Sequence, residues 1–167
     1  MNFLTDMQLY FRGEKIESFY ILLASVVLLA TALILIISVR QPFTRGLGAT
    51  LLGAALIRLT VGGTVYMRTD SQVSKLQSVY EADRQHFAEA EGPRMDKVVE
   101  SFRLYRIMYA LSALAAVGLL TLTGRPLLHG IAVGLFVFAA MGYTIDHYAE
   151  ERALWYTEVV HMQSAAD

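Results

Sequence analysis

Apolar residues gather along this chain in four blocks, at 18–39, 46–67, 104–124 and 126–145, with charged residues crowded between and beyond them. The first block has no charge over 22 residues and the fourth has none over 20. The second has only Arg58, and the third is uncharged from 107 to 124. About 20 apolar residues cross the ~30 Å of hydrocarbon in a bilayer. Backbone amides and carbonyls must satisfy one another there, so each block is predicted to be a helix. A soluble helix needs a polar stripe along one side, and 18–39 offers none. That block is also longer than the apolar core of a cleavable signal, and no small-residue cleavage pattern follows it. It is expected to remain as an anchor.

The links between blocks set the topology. "RQPFTR" (40–45) joins the first two and "TGRP" (123–126) the last two. Links this short place their helices as antiparallel neighbours. Pro42 stops a helix, and Pro126 suits the first turn of the next. The middle connection is about 40 residues long and keeps a helical rhythm. Val73, Leu76, Val79 and Tyr80 recur at helical spacing, as do Met95, Val98, Val99, Phe102, Tyr105 and Tyr109. In "EGPR", Gly92 is expected to end one helix and Pro93 to start the next, with the chain turning near 81–92. The same rhythm appears before the first block (Phe3, Leu4, Met7, Phe11) and after the fourth (Tyr148, Trp155, Val159, Met162). The predicted fold is all-α, a single domain over 1–167. It is an integral membrane antiparallel four-helix bundle whose helices extend about 20 Å beyond one face. That helical cap is formed by 1–17, 68–103 and 146–163.

Charge and composition narrow the classes. Fourteen basic and fifteen acidic residues leave a net charge of −1, without the basic excess of a nucleic-acid binder. The absence of cysteine excludes disulfide scaffolds and thiolate metal sites. The short links carry Arg40, Arg45 and Arg125 and no acid, which favours those links in the cytoplasm and the cap and termini outside, in the periplasm. The ten basic residues on the cap side, Arg106 at the cap-side end of the third block included, counted raw, argue the other way.

Arg58 is the main chemical signal. Counted from Gly46 and Met67 it lies ~18 Å from one boundary and ~13 Å from the other. A charge there costs about 2.5–3.5 kcal/mol on insertion scales, and a side chain tilted towards the helix N-terminus faces the farther boundary. Depth counting finds no acid opposite it: Asp146 falls at ~30 Å and Glu17 at the edge of the first block. Ser112, Ser25 and Tyr109 fall at ~18–22 Å and are the expected partners. Arg58 therefore reads either as a structural arginine held by these groups or as the centre of an anion, lipid or partner site.

Other constellations are weaker. His147 and Glu151, at i and i+4 in "DHYAEER" with Asp146 adjacent, are a candidate binding pair. Their alternative is a salt-bridged helix face with Arg152. Of the histidines only His129 lies inside an apolar block, so the paired ligands of a membrane haem are not present. The two Glu-x-x-His motifs of di-iron bundles are not both present, since only Glu158 and His161 have that spacing, and phosphate loops and nucleophile elbows are missing from the sequence. No metal or other cofactor is expected, and the chain is read as non-enzymatic. Ala49 with Gly53, and Gly130 with Gly134, are small-xxx-small pairs suited to tight helix packing. Tyr20, Tyr66, Tyr105, Tyr109, Tyr143 and Tyr148 collect near the cap-side boundary, as an interfacial belt or as the lining of a pocket.

"VGGTVYMRT", "EGPRM" followed by "KVVESF", and "GRPLLHG" resemble segments of a widespread family of small four-helix bacterial membrane proteins to which no activity is attached. The resemblance covers most of the chain and implies the inner-membrane layout, not a function. Two functions are carried forward. One is protein–protein interaction through the cap, as an accessory subunit or a toxin-immunity protein. That is the function expected first; the alternative to it is a small transporter, channel or lipid/anion-binding protein using Arg58. Expected partners are membrane lipid and a protein or second copy of the chain, with no nucleic acid.

Overall fold

The computed structural model describes residues 3–164, and among them there is no strand. Helix α1 spans Phe3–Ile34 and runs on through a π-helical turn, Leu35–Val39. Helices α2 (Pro42–Ala82), α3 (Arg84–Leu122) and α4 (Pro126–Ser164) follow. All four are long and apolar enough to cross a membrane. At the first link Arg40 adopts a left-handed φ of 52° and its Nε donates to the Ile37 carbonyl. Only Arg40 and Gln41 separate the helical segments, because Pro42 sits in the first turn of α2. At the second link the His129 Nε2 hydrogen bonds to the Thr123 carbonyl at 2.6 Å, which satisfies one of the orphan acceptors past the end of α3.

The turn between α2 and α3 falls within the expected 81–92 but is far tighter, and Gly92 and Pro93 do not bound a helix. It is one residue, Asp83, whose carboxylate accepts the His86 amide at 3.0 Å as an N-cap. Pro93 lies inside α3. A mid-helix proline costs about 3 kcal/mol, and packing overrides it. Phe87, Ala88, Glu91, Gly92 and Met95 are all buried at spacings that keep one helical stripe running through the proline.

The helices form extended seams α1–α2, α2–α4 and α4–α3, while α2–α3 and α1–α4 meet only briefly. The backbones of α1 and α3 nowhere approach within 8 Å. The cross-section is therefore a slanted parallelogram with α2 and α4 on its short diagonal and α1–α4 and α2–α3 as its wider sides, not the square of an ordinary up-and-down bundle. Glycine causes this. A Cβ on Gly46 would lie 2.1 Å from the Leu127 carbonyl oxygen, and one on Gly130 would lie 2.0 Å from that of Phe43. Gly134 faces Thr50 in the same way. Of the small-residue pairs, Gly130 and Gly134 are at the seam. Gly53 faces open space and Ala49 is exposed, so on α2 the matching positions are Gly46 and Thr50.

The two ends of the molecule are packed by different means. Away from the links, Phe3, Met7, Phe11, Phe87, Met95 and Tyr156 form a large-side-chain core. Phe3 stacks on Tyr80 with ring centroids 4.6 Å apart, and Tyr10 stacks on Tyr156 at 4.4 Å. Towards the links the fully buried residues are small: Ala32, Ala55, Ala116 and Ala132. Phe19, Leu23, Val27, Leu56, Leu111 and Leu114 there turn outward and are more than half exposed. This is the inside-out pattern of helices that meet through small residues.

Candidate functional site

One stripe of α4 builds the site. Phe138, Gly142, Asp146 and Glu150 follow one another at i+4 spacing and so share a face. Gly142 comes so close to α3 that a Cβ there would lie 2.3 Å from Cε1 of Tyr109. The Tyr109 ring lies in that notch, edge-on to Phe138 at 5.7 Å. Its hydroxyl donates to Oδ2 of Asp146 at 2.6 Å. One turn farther, Arg106 Nη1 bonds both carboxylate oxygens of Glu150 at 2.8 and 2.6 Å. Side chains of α3 lean towards the charged end and those of α4 away from it, since both tilt to their own N-terminus. Tyr109 and Asp146 thus converge.

Arg58 enters the same region from α2. Its guanidinium carbon lies 5.7 Å from the Phe138 ring centroid. A cavity of about 280 Å³ is bounded by Ile21 of α1, Ile57, Arg58 and Val61 of α2, Tyr105, Met108 and Tyr109 of α3, and Phe138 and Asp146 of α4. It opens between α2 and α3, where Ile57, Val61, Tyr105 and Met108 are each two-fifths exposed or more. Nη2 of Arg58 is buried and has no hydrogen-bond partner. A desolvated cation–π contact contributes about 2 kcal/mol. A buried charged donor left without a partner costs at least about 1–3 kcal/mol, so Phe138 alone does not settle this arginine.

The expected serine partners do not supply the remainder. Ser25 donates to its own Ile21 carbonyl at 2.6 Å, and Ser112 donates to Met108 at 2.8 Å. Serine in an apolar helix bonds back to the i−4 carbonyl when no better acceptor is in reach. Tyr109 is beside Arg58 but gives its proton to Asp146. The depth count that set Asp146 apart is corrected as well, because Asp146 lines the Arg58 cavity. The second helix starts at Pro42, so Arg58 stands ~24 Å up α2 while Asp146 stands ~30 Å up α4, and the aspartate leans back towards it. His147 and Glu151 do not join this site. They lie 3.6 Å apart on the outer face, half or more exposed, and His147 stacks with Tyr143. Among the described residues no cluster of histidine and carboxylate has the grouping of a metal site. Tyr20, Tyr66, Tyr105, Tyr143 and Tyr148 are exposed, as a belt requires, and Tyr109 alone of the six turns inward. Sequence spacing did not single out Phe138. The signal was there, in the i+4 stripe through Gly142.

A second polar cluster lies inside the charged end. Glu91 is 2% exposed and accepts from Arg94 Nε at 2.7 Å and Nη2 at 2.5 Å. Arg152 pairs with Glu17, and Lys15 with Asp70. Glu14 has a buried carboxylate oxygen without a hydrogen-bond partner, with Arg68 3.7 Å from the other oxygen. Burial pushes the Glu14 carboxyl above its usual range, and the attraction of Arg68, Arg94 and Arg152 does not cancel it. Burial, with the Glu14 carboxylate nearby, pushes Tyr10 up to about 12. These groups come from all four helices; Glu91 and Glu14 lie inside, while Arg68 and Asp70 stand exposed at the rim.

Compared with family models, with curated proteins and with solved structures, the chain matches none.

Proposed function

We propose that this chain is a four-span protein of the bacterial inner membrane that takes a lipid-phase amphiphile into the cleft between α2 and α3, where Arg58 binds its polar end. The observation that carries this reading is Arg58, which lines a cavity that opens onto the apolar outer surface and whose guanidinium also has a buried Nη2 without a hydrogen-bond partner. A guanidinium in such a place is a functional candidate by default. The cleft is mostly apolar with a few convergent polar groups, the usual make-up of a small-molecule site. The charged end forms the cap, with cap and termini on the periplasmic side.

Protein contact through the cap, the other expectation, draws on a charged surface but on no comparable feature. The cap's Phe3, Phe11, Phe87 and Tyr156 are turned into its own core. The lipid-phase reading is the better supported.

The test is extraction. Wild-type protein, Arg58→Leu and Arg58→Lys are purified in a mild detergent, and the co-purifying lipids are identified by mass spectrometry. A compound retained by wild type, lost from Arg58→Leu and partly retained by Arg58→Lys supports the reading. Identical extracts from all three overturn it.

A further inference from the structure

The chemistry of the cleft specifies its ligand further, on the basis of the reading just given. Charge is the first constraint. Arg58 and Asp146 line the same cavity of about 280 Å³, yet no ion pair joins them, so one formal positive and one formal negative charge face the ligand. A carboxylate or phosphodiester drawn to Arg58 would share this small space with the Asp146 carboxylate. A neutral acceptor oxygen meets the Arg58 donor without that repulsion.

Depth is the second constraint. Arg58 is nine residues, or ~13 Å, below the exposed Met67 at the cap-side boundary. Taking a charged headgroup that far out of water is expensive, whereas a carbonyl costs little once it accepts a hydrogen bond. Shape is the third. The rings of Phe138 and Tyr109 stand edge-to-face at 65° with Tyr105 and Met108 on the same α3 wall. Such walls favour a flat ring.

We propose that the cleft binds a neutral, flat, carbonyl-bearing lipid of the isoprenoid-quinone class. One ring carbonyl accepts from the Arg58 guanidinium, and the tail leaves between α2 and α3 past Ile57 and Val61. The inference concerns binding alone and involves no electron transfer.

The experiment places the protein in phosphatidylcholine nanodiscs and follows its melting midpoint. Decylubiquinone and oleate are titrated separately, and phosphatidylglycerol is varied in the disc. Decylubiquinone is expected to raise the wild-type midpoint saturably. Affinity should fall at least tenfold in Arg58→Leu and less in Arg58→Lys, with Phe138→Ala weakened as well. Circular dichroism checks that each variant is folded. A saturable, Arg58-dependent shift with oleate or phosphatidylglycerol but not with decylubiquinone overturns the quinone class and leaves the cleft reading standing. A decylubiquinone shift of equal size in wild type and both Arg58 variants overturns the assignment to this site. No shift with any of the three, together with identical lipid extracts, overturns both.

Discussion

Tyr109 reaches Asp146 across the α3–α4 seam because Gly142, one turn before the aspartate, leaves room for the ring. The 2.6 Å hydrogen bond and the 2.3 Å clash awaiting any Cβ at Gly142 are two views of one packing arrangement. Gly142→Ala is therefore expected to displace the ring, break the bond and destabilise the protein by about 1–3 kcal/mol. In a Tyr109→Leu background, where the aromatic ring is gone, the same change should cost less. A double-mutant cycle on stability checks this, and strict additivity would show that the notch does not position the tyrosine.

The glycines separate into two classes by what surrounds them. Gly130→Ala drives a methyl group into the Phe43 carbonyl and should force α2 and α4 apart, at a cost of about 1–3 kcal/mol. Gly53→Ala meets open space and should be neutral or stabilise by up to about 1 kcal/mol through backbone entropy. Thermal unfolding of the two variants in one detergent gives the comparison. Equal destabilisation would contradict the close α2–α4 diagonal.

Glu14 gives a pH signature. Its carboxyl is held above the usual range by burial, so the folded protein holds this proton more tightly than the unfolded chain. The associated stability is fully present below the unfolded pKa and is lost as pH rises through the folded one. Glu14→Gln should accordingly be more stable than wild type at neutral pH, and the advantage should shrink as the pH falls through the carboxylate range. A melting-midpoint difference that stays constant or grows on acidification would refute the assignment.

Asp83 closes α3 with a single side-chain bond. Asp83→Ala should cost about 1 kcal/mol and raise amide exchange in the first turn of α3, while Asp83→Ser should recover most of the loss. Exchange measured by mass spectrometry would show whether the effect is confined to that tip.

Much of the architecture is legible in the sequence because apolar length is a strong signal. The four blocks, the short links and the helical rhythm outside the blocks all come from counting. The turn was legible only to within 81–92, because Gly92 and Pro93 are a louder local signal than Asp83. The buried stripe from Phe87 to Met95 overrides them only through contacts with Phe3 and Tyr156, which lie far off in sequence. The site shows the same division. Arg58 and Tyr109 stand out by residue type. Asp146 was set apart by a depth count from Gly46, one turn late on α2, and by its neighbours His147 and Glu151, which point outward. Phe138 is one of eight phenylalanines, and only the rotation of α4 places it beneath a guanidinium.

The open flank between α2 and α3 bears on how occupancy of the cleft should be expressed. A ligand that arrives sideways through the hydrocarbon never crosses water, so its aqueous concentration has no direct bearing on binding. The governing quantity is its mole fraction among the surrounding lipids. Adding plain lipid at constant protein and ligand should then empty the cleft by two-dimensional dilution, although nothing in the aqueous phase has changed.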